Sequence, residues 1–178
     1  MKLWLVRHAQ PLAEPGLCYG RTDLPADPQA TRQAAAQLAN ALPPDCLTLA
    51  SPLQRCEQLV QATSGLRPDL VLNRNPDLAE MDFGDWEGRR WEQIAMDAWM
   101  ADFWTHRPGG GESVQAFMAR VARAFDETVA RGRDTAWITH AGVIRAARLI
   151  HGGTRVVTQA SQWPAGTLPF GGWQLLDC

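Results

Sequence analysis

Residues 3–8 of the chain read LWLVRH, and this short stretch constrains the fold more than any other. Its apolar first part has the length and composition of a buried strand. It ends abruptly in Arg7 and His8, a permanent cation and an imidazole, which apolar cores rarely bury without partners. TAWITHA at 135–141 repeats the arrangement, because an apolar run again ends in a histidine, His140. The repetition predicts buried strands whose tips carry a functional site.

Strand patterns and helix patterns alternate along the rest of the sequence. The predicted strands are 2–7, 46–50, 69–73, 135–141 and one near 173–176, and the predicted helices are 29–42, 51–63, 91–104, 113–131 and 142–152. Such alternation is typical of a mostly parallel sheet that is covered on both faces. We therefore predict an α/β fold, a three-layer α/β/α sandwich with a mostly parallel central sheet. The length fits one domain, 1–178, with a helical lid or insert at about 76–112.

Composition and charge favour an ordinary globular protein and exclude several classes. The chain is 46% hydrophobic and 20% charged, with a formal net charge of −2 and no basic block, so nucleic acid and anionic membranes are poor partners. No apolar run approaches the roughly 20 residues of a membrane-spanning helix, and the N-terminus lacks a signal-peptide pattern. The cysteines form no CxxC pair, which favours a reduced, cytoplasmic setting.

Three predicted strand ends share one design. Arg7 and His8 end one strand, His140 ends another, and Arg55 follows a third in TLASPLQR. If these strands are parallel neighbours, their side chains gather at the carboxyl edge of the sheet, where ligands bind in such folds. Arginine binds phosphate oxygens in a bidentate way, and helix N-termini add oriented amides. Each residue alone has an ordinary structural explanation, but together they indicate an anion site without the carboxylate cluster of a metal site.

Five motifs occur in order between residues 3 and 145: LVRHAQ, SPLQRC, LAEMDFGDWEGRRW, GGGES and WITHAGVIR. This series resembles the histidine phosphatase superfamily, in its phosphoglycerate mutase-like branch. The resemblance implies a phosphoglycerate mutase-like fold and a cofactor-independent phosphoric monoester hydrolase of the histidine acid phosphatase type. PGLCYGRTDLPAD at 15–27 and the short length are most similar to the α-ribazole phosphatases of cobalamin biosynthesis.

The resemblance also implies roles for the residues at the strand tips. In the family, the histidine of the first motif attacks phosphorus, so His8 is expected to form a phosphohistidine. Arg7 and Arg55 match the phosphate-binding arginines, and His140 matches a second, cationic histidine that donates to the same oxygens. Their positive charges would favour the neutral form of His8. A hydrogen bond from its other nitrogen, to a backbone carbonyl within 7–20, is expected to orient the ring.

Carboxylates and one further arginine complete the predicted site. Glu80, in LAEMDFG, matches the general acid that protonates the leaving oxygen and then activates water. Asp82 and Glu87 are nearby alternatives, with loop or cap positions as their structural explanation. The sequence departs from the family where Ala9 replaces the usual glycine and where an asparagine a few residues later is absent. Arg21 could supply the missing phosphate contact or reach the substrate body, and an exposed structural position for it is equally compatible.

Tryptophans between the acid motif and GGGES have two explanations. They form either ordinary core packing or a wall that receives an apolar or aromatic leaving group, and the residues concerned are Trp91, Trp99 and Trp104. Glu112 and Ser113, at the end of GGGES, are expected to cap the helix that follows.

The leading hypothesis is a phosphomonoesterase that hydrolyses a small phosphorylated metabolite through a phosphohistidine, with α-ribazole 5′-phosphate as a candidate. The alternatives are a phosphoglycerate mutase-type phosphotransferase and a phospho-ligand binding protein that performs no catalysis. We expect no metal and no cofactor at the site. We also expect no nucleic-acid or membrane partner, and a monomer or a homodimer.

Overall fold

The computed structural model describes all 178 residues, and its centre is a five-stranded sheet in the order β3-β2-β4-β1-β5. The strands are β1 (Lys2–Arg7), β2 (Leu47–Ala50), β3 (Val71–Arg74), β4 (Thr135–Thr139) and β5 (Trp173–Asp177). β1 to β4 are mutually parallel, and β5 pairs antiparallel with β1 at one edge. The mostly parallel α/β sheet predicted from the sequence is confirmed.

Helices cover both faces of this sheet. They are α1 (Pro28–Ala41), α2 (Gln54–Leu66), α3 (Asp97–Ala101), α4 (Val114–Ala130) and α5 (Ala141–His151), with single 3₁₀ turns at Pro76–Leu78, Gly84–Trp86, Trp91–Gln93, Pro108–Gly110 and Ala160–Gln162. Alternate residues of a strand point to opposite faces, so Leu3 and Leu5 join one core while Trp4 and Val6 join the other. α4 and α5 cover the first core, and α1 and α2 cover the second. None of the helices is long and apolar enough to cross a bilayer.

The strand order explains why the predicted tips meet. β4 lies between β1 and β2, and its register pairs Arg7 with Thr139. The residue after β1, His8, donates its backbone N–H to the Thr139 carbonyl at 3.0 Å, which places it beside His140. On the other side, the Ser51 N–H donates to the Ile138 carbonyl at 3.0 Å. Three carboxyl ends therefore share one edge of the sheet.

Two helices differ from their predicted bounds. The helix predicted over 51–63 begins at Gln54, because Ser51 still bonds to the sheet and its Oγ accepts from the Leu53 N–H at 3.3 Å in a turn. The helix predicted over 91–104 is reduced to α3 and a 3₁₀ turn. Its start is held elsewhere, since the Trp91 N–H donates to the Gly16 carbonyl at 2.9 Å.

Candidate active site

A cavity of about 660 Å³ opens at the shared carboxyl edge of β1, β4 and β2. At one end its wall is polar and is formed by Arg7, His8, Arg55 and Glu80. The rest is mainly aromatic, with the rings of Phe83, Trp91, Trp99, Phe103, Phe117 and Trp163. The cavity thus combines a compact charged end with a large apolar chamber.

His8 is held as a neutral ring with one nitrogen available. It is 2% exposed, and its Nδ1 donates to the carbonyl of Ala9 at 2.7 Å, which fixes the proton on Nδ1 and leaves the lone pair on Nε2. Burial, followed by the positive charge of Arg55, lowers the pKa of His8 from 6.5 to about 3. The methyl group of Ala9, where the family usually has glycine, is accommodated in the core under α1.

Arg55 is fully buried and joins the loop between β1 and α1 to the sheet edge. Its Nη1 donates to the Thr22 carbonyl at 2.9 Å, and its Nη2 donates to the Gly20 carbonyl at 2.8 Å. Its Nε donates to Nδ1 of His140 at 3.2 Å. A guanidinium has five N–H donors, so two of them remain for phosphate oxygens.

His140 lies behind His8 and has no free nitrogen. The two ring centroids are 5.1 Å apart; His140 Nδ1 accepts from Arg55, and Nε2 donates to Ser51 Oγ at 2.7 Å. Burial and Arg55 lower the pKa of His140 well below 6.5, so the ring is neutral. The structure therefore does not show the cationic second histidine that the family resemblance implies, and a direct contact of His140 with phosphate stays a prediction. In this arrangement His140 positions Arg55, and a direct contact with phosphate requires the hydrogen bond to Arg55 to rearrange.

Arg7 presents its guanidinium to the cavity beside His8. Its Nη1 donates to the Leu168 carbonyl at 2.6 Å, and its Cζ lies 3.8 Å from the ring centroid of Phe170. Nε is buried without an acceptor, and Nη2 has no acceptor in the protein. Residues just before β5 therefore orient Arg7 and leave part of its hydrogen-bonding capacity unused.

Glu80 is the one acidic residue on the cavity wall. Its Oε1 accepts from the Met81 N–H and its Oε2 from the Gly142 N–H, both at 3.0 Å, so the carboxylate sits at the N-terminus of α5. Asp82 and Glu87, the alternative candidates for the general acid, have other partners. Asp82 accepts from the Gly84 N–H, and Glu87 accepts from the backbone N–H groups of Arg21 and Phe83. Neither lines the cavity. No group of three or more His, Cys, Asp or Glu side chains is arranged to hold a metal ion.

The structure does not bring Arg21 to the site. Arg21 is exposed, is absent from the cavity wall, and uses its backbone N–H on Glu87 Oε1 at 2.8 Å. The same loop instead contributes Tyr19, which no spacing rule could have placed. Arg145 was also missed, although it follows Gly142 by three residues on α5 and helix geometry puts such pairs on one face.

The tryptophans divide between the two sequence-based explanations. Trp91 and Trp99 line the cavity, and Trp99 also stacks on Phe103 with centroids 5.3 Å apart. Trp104 does not line the cavity and packs against the core. Their role as a movable lid stays a prediction.

Comparison with known proteins agrees with the geometry. Residues 3–156 match the histidine phosphatase superfamily (branch 1), and the chain belongs to this family. It is similar to the adenosylcobalamin/alpha-ribazole phosphatases of Escherichia coli, with 35% identity over 133 residues, and Salmonella typhimurium, with 34% over 132 residues. Each alignment covers 69% of this chain and 64% of the relative's own length.

Solved structures extend the likeness to nearly the whole chain. The alpha-ribazole phosphatase from Shigella flexneri has a TM-score of 0.81 at 25% identity, covering 99% of this chain and 90% of that one. A mycobacterial glucosyl-3-phosphoglycerate phosphatase has a TM-score of 0.82 at 26% identity, with coverage of 99% and 90%. Phosphoglycerate mutase from Thermus thermophilus has a TM-score of 0.75 at 30% identity, with coverage of 99% and 93%. The predicted phosphoglycerate mutase-like fold is confirmed.

Proposed function

We propose that the protein is a phosphomonoesterase that transfers the phosphoryl group of its substrate to His8 and then to water. The observation that carries the proposal is the neutral His8 ring, whose Nδ1 proton is held by the Ala9 carbonyl while Nε2 keeps its lone pair at the cationic end of the cavity. A weak base in this state is ready to attack without first losing a proton. The hydrolase activity of related proteins supports the same chemistry.

The proposed reaction has two steps, phosphorylation of His8 and hydrolysis of the phosphohistidine. In the first, His8 Nε2 forms a bond to phosphorus as the ester P–O bond breaks, and the protonated carboxyl of Glu80 gives its proton to the leaving oxygen. In the second, a water oxygen attacks the phosphohistidine, its proton passes to Glu80, and the N–P bond breaks to restore neutral His8. The free N–H groups of Arg7 and Arg55 stabilise the negative charge that spreads over the phosphoryl oxygens.

We further propose that the leaving group is an alcohol that carries an apolar aromatic ring system, with α-ribazole 5′-phosphate as the specific candidate. The chamber beside the charged end is formed by six aromatic rings, which would accept a flat heterocycle by stacking. Beyond Arg7 and Arg55, only Arg145 adds a cation to the wall, which disfavours a small acidic substrate such as phosphoglycerate. Relatives named as alpha-ribazole phosphatases support this choice.

A comparison of two substrates tests the proposal. Purified protein should hydrolyse α-ribazole 5′-phosphate with kcat/KM at least about fivefold above that for 3-phosphoglycerate, since one well-formed aromatic contact is worth about 1 kcal/mol. Trp99→Ala should raise KM for the aromatic substrate and leave the inhibition constant of inorganic phosphate unchanged. Phosphate transfer that depends on a bisphosphate primer would instead identify a mutase. Binding of phosphate without turnover of any aryl phosphate would identify a non-catalytic binding protein.

A further inference from the structure

GGGES at 109–113 is the one motif that the proposed chemistry does not use. It lies outside the cavity wall, yet it contacts the segment that carries Glu80. We call residues 76–86, which include Glu80, the acid loop. The Glu112 N–H donates to the carbonyl of Asp82 at 2.8 Å, so the backbone of the motif is bonded to the acid loop.

Arg120, on α4, holds the acid loop from below. Its Nη1 donates to the carbonyls of Asp77 and Ala79, each at 2.7 Å, and its Nη2 donates to the carbonyl of Glu80 at 3.1 Å. Its Nε and Nη2 also bind the two carboxylate oxygens of Glu112 at 2.7 and 2.9 Å. All five donors of this guanidinium are therefore used, and three of them fix backbone carbonyls next to the acid.

The Glu112 carboxylate keeps this buried cation compensated. The side chains of Arg120 and Glu112 are 9% and 14% exposed, which makes this the least exposed ion pair in the chain. The carboxylate offsets the cost of burying the Arg120 charge, and the bidentate geometry fixes the orientation of the guanidinium. The sequence predicted that Glu112 and Ser113 both cap α4, but Glu112 does not. Ser113 alone caps the helix, and its side chain accepts from the Ala116 N–H at 3.2 Å.

Glycines of the motif let the two segments approach closely. A Cβ on Gly111 would lie 2.3 Å from the carbonyl oxygen of Asp82, and a Cβ on Gly109 would lie 2.1 Å from that of Phe83. Gly109 also has φ +60°, a left-handed conformation that favours glycine. GGGES and the acid loop are therefore in direct backbone-to-backbone contact, and any side chain at Gly109 or Gly111 would separate them.

We propose that Glu112 and Arg120 are positioning residues for the general acid, and this inference rests on the proposed function of Glu80. The carboxylate of Glu80 is fixed by the N–H groups of Met81 and Gly142, and its backbone is fixed by Arg120. Loosening the second attachment moves the proton donor relative to the leaving oxygen while the nucleophile and the arginines stay in place.

Leaving-group dependence provides the test. A poor leaving group, in phenyl phosphate, needs the proton from Glu80, whereas a good one, in 2,4-dinitrophenyl phosphate, departs without it. We expect Glu112→Gln and Arg120→Lys to lower kcat/KM for phenyl phosphate by about tenfold to a hundredfold, and to change that for dinitrophenyl phosphate by less than about twofold. The ratio of the two values is measured on the same folded molecules, so partial unfolding does not alter it.

The control is Arg123→Lys, three residues further along α4. Arg123 is exposed and also binds the acid loop, but only through the side-chain carboxylate of Asp77, so the ratio should remain that of the unmodified protein. Glu80→Gln gives the reference for complete loss of the acid. An unchanged ratio in both Glu112→Gln and Arg120→Lys, with a lowered ratio in Glu80→Gln, would overturn this inference alone. An unchanged ratio in Glu80→Gln would remove the proposed role of Glu80 and this inference with it.

Discussion

Replacing Gly142 with alanine is expected to disable the proposed acid without disturbing the nucleophile. A Cβ at this position would lie 2.3 Å from Glu80 Oε1 and 3.1 Å from its Cδ. Ordinary contact begins near 3.4 Å, so the carboxylate oxygen must retreat by about 1.1 Å. A misplacement of about 1 Å at a reacting group can lower the rate about a hundredfold, or about 2.7 kcal/mol in the activation free energy.

Stability should change less than activity in this variant. The Gly142 N–H loses its bond to the charged carboxylate, which costs about 1.5–3 kcal/mol of unfolding free energy. Alanine in the first turn of α5 offsets part of this, by up to about 1 kcal/mol. Urea unfolding should therefore show a folded protein that is destabilised by about 0.5–2.5 kcal/mol, while kcat/KM for phenyl phosphate falls about a hundredfold.

Gly65→Ala is the matched control. Gly65 lies within α2, and a Cβ there meets nothing within 4 Å, so we expect unchanged activity and a gain of about 0.5–1 kcal/mol in unfolding free energy. If Gly142→Ala kept full kcat/KM for phenyl phosphate, the position of the Glu80 carboxylate would not matter for catalysis. The assignment of Glu80 as general acid would then be wrong.

Two further predictions concern the cationic end of the cavity. Burial lowers the pKa of both His8 and His140 below 6.5, so below that pH the unfolded chain binds protons that the folded chain does not. Urea unfolding should therefore show that the unfolding free energy decreases as the pH falls from 6.5 towards 4, by up to about 1.4 kcal/mol per pH unit for each histidine. The slope should be smaller in His8→Gln. Equal unfolding free energies at pH 7 and pH 5 would contradict this prediction. Phe170→Leu removes the ring that packs against Arg7 and should weaken competitive inhibition by inorganic phosphate about threefold to tenfold, whereas Phe170→Tyr keeps the ring and should keep the inhibition. Equal inhibition of the unmodified protein and both variants would exclude the ring as a support for Arg7.

The tips of the strands could be predicted from the sequence because they combine a local pattern with a general rule of topology. An apolar run that ends in Arg7-His8 identifies a buried strand with a polar end, and 135–141 repeats it. Parallel strands place their carboxyl ends at one edge of the sheet. Once the parallel sheet was predicted, the side chains at these strand ends were therefore expected to lie close together. Glu80 was identified by family resemblance, and the structure adds the Gly142 amide that holds it.

The contacts that the sequence did not reveal are those set by irregular backbone. Arg55 is bonded to carbonyls of a loop without regular structure, and this loop also brings Tyr19 to the cavity. The orientation of His140 follows from Arg55 and Ser51, which are far from it in the sequence. The start of the helix predicted over 91–104 is held instead by the bond from the Trp91 N–H to the Gly16 carbonyl, next to the bridge between Leu17 and Arg90. Periodicity carries no information about such pairings.

The most direct test of the account is to trap the covalent intermediate. Protein mixed with ³²P-labelled aryl phosphate and quenched with base should carry acid-labile, base-stable phosphate, and peptide mapping should place it on Nε2 of His8, because Nδ1 donates to the Ala9 carbonyl. A folded His8→Ala variant should carry no label and show no turnover. Label on another residue, or full activity in His8→Ala, would contradict the mechanism.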